Sequence, residues 1–244
     1  MENLFSQIRG KLIVSCQALK EEPLHGPAIM AKMAKAAKEG GAAAIRANSK
    51  EDILAIKQEI DLPVIGIVKR DYEDSEIYIT ATKREADELI AAGVEMIALD
   101  ATKRKRPSGE TLEGLVSYIQ QHHVLVMADI STLEEALYAE KIGCDCVSTT
   151  LSGYTSYSRQ ETGPDFTLIK EAAQSLKVPV IAEGRIGTPK DAARALAAGA
   201  HAVVVGSAIT RPQLITKTFT DGLLERGDRI DGNIYIKREA SWSH

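Results

Sequence analysis

The chain has 244 residues, 44% hydrophobic and 26% charged, enough for a full apolar core in one α/β barrel or two modest domains. A formal net charge of −4, from 30 basic and 34 acidic residues, argues against a nucleic-acid or anionic-membrane partner. Three cysteines make no disulfide framework, no stretch reaches the roughly 18 apolar residues of a membrane span, and MENLFSQIRGK is unlike a secretory leader, so a cytoplasmic location is expected.

In chain order, MENLFSQIRG predicts a short N-terminal helix that caps one end of the fold. Eight β-rich runs follow: KLIVSCQ (11–17), GAAAIRAN (41–48), PVIGIVKR (63–70), EMIALDAT (95–102), VLVMADI (124–130), DCVSTTLSG (145–153), PVIAEGRI (179–186) and HAVVVGSAI (201–209). Most are continuously apolar, as parallel strands covered on both faces should be. Between them lie helix signals. Thr82 with Glu85 and Thr132 with Glu135 have capping-box spacing, Thr188-Pro189 opens a helix, and Gly93, Gly143 and Gly199 close three. Cys144 and Cys146 read as small buried thiols.

Eight such units predict a single-domain (β/α)8 TIM barrel over residues 1–230. A doubly wound open sheet is the alternative, but SCQALKEEP after the first strand holds no glycine fingerprint. Residues 231–244 read as a polar C-terminal tail. Its ending WSH looks like the start of an affinity tag, so Trp242 and His244 stand outside the chemistry.

Barrel active sites form at the carboxyl ends of the strands. Those ends carry Gln17, Arg46 with Asn48, Lys69 with Arg70, Asp100 with Thr102, Asp129, Thr149, Thr150 and Ser152, Glu183 with Arg185, and Gly206-Ser207. Alternation puts Lys69 on the same side as Ile65 and Ile67, Glu183 with Ile181, and Asp129 with Met127. If that side is the interior, Lys69 and Glu183 face each other across the mouth and Arg70 points out toward a helix. Gly184 in EGRIG and Gly206 with Ser207 in VVGSAI follow strands 7 and 8, where backbone N–H groups can approach a phosphate, with Arg211 close behind. No metal is expected, since His122, His123 and His201 fall at strand beginnings. KRKR (103–106) lacks interleaved aromatics and reads as a substrate-face or solvated loop.

With LIVSCQAL, EPLH, GGAAAIRA, IGIVKRDY, SEIYIT, MIALDATKRKRP, MADISTLEEA, DCVSTTLSGYT, AEGRI and VVGSAITRP in view, the sequence resembles the N-acetylmannosamine-6-phosphate 2-epimerases of bacterial amino-sugar and sialic acid catabolism. The likeness spans residues 11 to about 220; Ala81 departs from it, standing where the family commonly has proline. It implies a cofactor-free, metal-free isomerase, usually a homodimer, acting on a phosphorylated amino sugar. It further implies Lys69 as central acid/base with Glu183 as companion, and Gln17, Arg46, Asp129 and Arg211 as groups holding substrate or phosphate.

The chemistry fits those residues. The hydrogen on C2 becomes acidic once the ring opens to an aldehyde, and a lysine base must be neutral to take it. The Lys69 pKa would have to fall from about 10.4 toward roughly 7–8. An apolar strand end and Arg46 push that way, while Glu183 pushes back. A charged Lys69–Glu183 pair, with Lys69 acting as an acid, is the rival arrangement. Rival functions are another metal-free barrel phosphosugar isomerase or lyase, and a non-catalytic phosphosugar sensor.

Overall fold

The computed structural model describes residues 4–224, and all eight runs become strands in it. They are β1 (Leu12–Cys16), β2 (Ala44–Asn48), β3 (Val64–Ile67), β4 (Met96–Asp100), β5 (Leu125–Asp129), β6 (Cys146–Ser148), β7 (Val180–Ala182) and β8 (Ala202–Val205). Every neighbour pairs in parallel, and β8 closes back on β1, giving a barrel in sequence order. The expected (β/α)8 barrel is therefore the observed fold, and the open sheet is excluded.

Helices α1 (Leu4–Ile8), α2 (Pro27–Glu39), α3 (Lys50–Glu59), α4 (Lys83–Ala91), α5 (Leu112–Gln121), α6 (Leu133–Lys141), α7 (Phe166–Ser175), α8 (Pro189–Ala197) and α9 (Ser207–Thr210) surround the strands, followed by a further helical stretch after residue 211. Both predicted capping boxes form, at Thr82–Glu85 and Thr132–Glu135. Thr188 and Asp191 make a third, with the shorter carboxylate in the same role.

Alternation along the strands divides the apolar residues into two populations. Ile13, Ile65, Ile67, Met96, Met127, Ile181 and Val204 fill the barrel interior. Val14, Ile45, Val64, Ile97, Val126 and Val147 pack outward against Ile53, Leu89, Leu115 and Ile119 of the helices. This is why the strand sequences show no polar face. The helix α1 seals the amino-terminal end of the barrel with Leu4 and Ile8, and His201 anchors it through Nε2 to the Phe5 carbonyl at 2.7 Å. That histidine is a floor residue, as its position at a strand beginning predicted.

Every run but the second ends earlier than expected, and at β3 and β6 the local cause is plain. Strand β3 stops at Ile67 because the chain returns on itself: Lys69 bridges Ile79 antiparallel, and the Arg70 amide donates to the Tyr78 carbonyl. Strand β6 stops at Ser148, where Thr149–Leu151 tighten into a 3-10 turn. The KRKR loop is also less solvated than its charge suggests. Arg106 is buried and donates to the carbonyls of Thr80, Ala81 and Asp100, while Arg104 pairs with Asp100. Two of its four cations thus staple the β3–α4 segment to the top of β4. The three cysteines are free and buried. Among the described residues no helix is long and apolar enough to cross a membrane. The predicted tail, 231–244, lies outside the described residues.

Candidate active site

A cavity of about 480 Å³ opens at the carboxyl ends of the strands. Its floor is the top of the interior core, so strand parity decides which side chains enter it. Ile65 and Ile67 lie inside the barrel; two residues on, Lys69 lines the cavity. Its backbone is held by Asn48, whose Oδ1 accepts from the Lys69 amide at 2.9 Å. Among the described residues Lys69 Nζ has no hydrogen-bond or ion-pair partner. Burial lowers its pKa to about 8, and the charges of Arg46 and Arg211 add to the effect against Glu183 and Glu22.

Glu183 follows β7, four strands from β3 and so across the barrel, and it lines the same cavity. Its Oε2 accepts from Arg46 Nη1 at 2.8 Å and from Thr150 Oγ1 at 3.1 Å. Burial raises its pKa, opposed chiefly by the Arg46 charge. Arg46 itself is only 1% exposed. It is gripped by Asp129 through two bonds, Nη1 to Oδ1 at 3.0 Å and Nη2 to Oδ2 at 2.5 Å. Burial works against that cation, but Asp129 and Glu183 hold its pKa above the ordinary arginine value. Asp129 is wholly buried and does not line the cavity. It stands beneath Arg46 rather than at the substrate surface that the resemblance implied.

The remaining expected residues do line the cavity: Gln17, Gly184, Arg185, Gly206, Ser207 and Arg211. Gln17 donates to Ser15 Oγ at 2.8 Å. Gly184 has φ +105°, a conformation that glycine tolerates far better than residues with a side chain. Arg185 continues the turn at φ +54°, with Nε donating to the Gly163 carbonyl at 2.8 Å and the guanidinium over the Tyr154 ring. Arg211 Nη1 donates to Ser207 Oγ at 3.1 Å.

Sequence reasoning missed Tyr78, Tyr154 and Ser15 as lining groups. Tyr78 and Tyr154 sit on loops, where no period says which way a side chain points; their only signal is that SEIYIT and LSGYT lie among the quoted matching stretches. No group of three His, Cys, Asp or Glu side chains suited to a metal ion occurs among the described residues.

A closed (β/α)8 barrel whose carboxyl-terminal mouth opens into a cavity lined by a lysine of lowered pKa and a carboxylate has the architecture of a barrel enzyme. The sequence profile of the family described as "Putative N-acetylmannosamine-6-phosphate epimerase" (NanE) matches residues 30–225. The chain belongs to this family, and it is an enzyme of the isomerase class. Relatives with the corresponding 2-epimerase name include one from Clostridioides difficile (strain 630), 58% identical over 90% of this chain and 99% of its own. Another, from Clostridium perfringens (strain SM101 / Type A), is 61% identical over 88% and 97%. A solved N-acetylmannosamine-6-phosphate 2-epimerase from Clostridium perfringens superposes with a TM-score of 0.89 at 59% identity, covering 90% of this chain and 96% of that one. A thiamine phosphate pyrophosphorylase from Pyrococcus furiosus, at 22% identity and a TM-score of 0.59, shares the fold alone.

Proposed function

We propose that the protein interconverts N-acetylmannosamine 6-phosphate and N-acetylglucosamine 6-phosphate by removing and returning the proton at C2 of the ring-opened sugar. The observation that carries this reading is Lys69: a half-buried lysine in the cavity with an unpartnered amine and a pKa of about 8. A free amine near neutrality is what a general base at a carbon acid requires. Glu183 on the opposite wall, its pKa raised, is the companion acid/base and suits proton transfer at the other face of C2. The neutral-lysine arrangement is favoured over a charged pair because no contact joins Lys69 Nζ to Glu183 among the described residues, whereas Arg46 already neutralises that carboxylate.

Both Arg46 Nη groups are committed to carboxylates, which leaves its role electrostatic: it depresses the Lys69 pKa and holds Glu183 in place. The Tyr78 hydroxyl, without a protein partner among the described residues, is the donor offered to the enolate oxygen as charge develops there. The phosphate sits against the turns after β7 and β8, held by the backbone of Gly184 and Gly206, by Ser207 and by Arg211. Gln17 and Arg185 border the sugar.

The test is proton NMR of N-acetylmannosamine 6-phosphate in D₂O, wild type beside Lys69→Ala. Formation of the gluco epimer with deuterium at C2, lost in the variant, supports the proposal. No conversion by folded wild type would sink it and leave the sensor or another phosphosugar reaction.

A further inference from the structure

Arg211 is one of the phosphate-binding residues proposed above, yet its guanidinium is already engaged. Arg211 Nε lies 2.8 Å from Oε1 of Glu22, and Nη2 donates to Oε2 of the same residue at 3.1 Å. Glu22 belongs to the loop between β1 and α2, so the pair joins segments 189 residues apart. Its Oε2 also accepts from the Leu19 amide at 2.8 Å, which folds that loop onto the carboxylate. Its Oε1 takes a bond from Gln213 Nε2 at 3.1 Å. Glu22 is thus satisfied from three directions, at 16% side-chain exposure. A carboxylate so placed either competes with phosphate for the arginine or fixes the arginine for it.

Geometry separates the two. A guanidinium presents five donors in a rigid plane, and Glu22 occupies the Nε–Nη2 edge. The opposite nitrogen, Nη1, reaches Ser207 Oγ at the turn after β8, and both residues line the cavity. Glu22 does not line it. The carboxylate therefore stands behind the arginine and sets its plane, while the front edge stays with Ser207 and the cavity.

We infer that Glu22 is a positioning residue for phosphate recognition, clamping the far edge of Arg211 so that Nη1 and Ser207 meet the anion together. This rests on the proposed phosphate site but not on the epimerisation chemistry. Glu22 also adds a negative charge near Lys69, where it raises the lysine pKa against Burial and the two arginines.

The experiment is calorimetric titration of inorganic phosphate into wild type, Glu22→Ala, Glu22→Gln and Arg211→Ala, with thermal unfolding of each as a folding control. Kinetics on N-acetylmannosamine 6-phosphate across pH run alongside. Loss of an oriented charge-assisted contact predicts phosphate binding and KM weakened by about tenfold or more in Glu22→Ala, with kcat falling less. Glu22→Gln, which keeps the shape and one acceptor, recovers part of that loss. In both Glu22 variants the acid limb of kcat/KM moves to lower pH, because removing the negative charge lowers the Lys69 pKa; that shift reports the charge alone, whereas the split between KM and kcat and the partial recovery in Glu22→Gln report the clamp. Folded Glu22→Ala or Glu22→Gln binding phosphate as tightly as wild type, or more tightly, overturns the inference and makes Glu22 a competitor. Wild type that binds no phosphate also overturns it. Wild type that binds phosphate in a Glu22-dependent way but converts no substrate supports the clamp and defeats the epimerase proposal instead.

Discussion

Lys69 and Arg70 are consecutive, yet their side chains lie on opposite sides of the barrel wall. Lys69 enters the cavity, whereas Arg70 reaches outward to Glu85 and Glu88 of α4. Two adjacent basic residues thus meet different surroundings, because the alternation of extended backbone persists past the end of β3 at Ile67.

The first consequence concerns pH. As the proposed base, Lys69 must be neutral to take the proton, so kcat/KM should rise as pH increases through about 8. Lys69→Ala should lower kcat by about 10²–10⁴-fold at pH 8, measured by NMR or a coupled assay. The same depressed pKa bears on stability. Between pH of about 8 and the ordinary lysine value of 10.5, the unfolded chain binds more protons than the folded one. The penalty from Lys69 is therefore full below pH 8 and relieved as pH climbs toward 10.5. Lys69→Met should consequently stabilise the protein at pH 7, by at most about 3 kcal/mol, in urea unfolding.

Asp129 is the counter-ion on which the Arg46 geometry depends. Asp129→Ala leaves a buried guanidinium with Glu183 as its remaining carboxylate partner. Breaking such a pair costs about 3–5 kcal/mol, which denaturant titration will show. Because the freed arginine can then turn wholly onto Glu183, kcat should fall more steeply than KM rises.

Gly66 lies in β3 facing side chains of α3, of α4 and of the segment that follows α4. A Cβ there would stand 2.8 Å from both Leu89 Cδ2 and Val94 Cγ1, and 3.2 Å from Ile53 Cδ1. Gly66→Ala should destabilise by about 1–3 kcal/mol through overpacking, seen as a lowered urea midpoint. Its effect on kcat should be smaller than that of Asp129→Ala, since Lys69 is held separately by Asn48 and Ile79.

Gly153 has φ +80°, and any Cβ on it would run directly into the Arg185 guanidinium. Gly153→Ala should displace Arg185 from the Gly163 carbonyl and the Tyr154 ring, raising KM several-fold. Arg185→Ala should reproduce that rise. Since both changes remove one interaction, the double variant should be no worse than the more damaging single one, the non-additivity expected of contacting residues.

Much of this architecture was legible before any coordinates. Eight apolar runs with capping signals between them specify eight β/α units, because local backbone satisfaction and two-sided burial leave their mark on contiguous residues. Polar residues at the strand tops, and the glycine turns after β7 and β8, are visible for the same reason. Three features were not. That the Lys69 side of β3 faces inward depends on closure of the barrel, since parity alone is symmetric. That Asp129 lies under Arg46, 83 residues earlier, depends on how β2 and β5 face each other across the interior. That Tyr78 reaches the cavity depends on the β3–α4 segment folding back onto Lys69. Periodicity records what each residue needs from its own strand or helix. Side-chain partners separated by whole strands are chosen only when the sheet closes, and that choice gives Lys69 its lowered pKa and Arg211 its clamp.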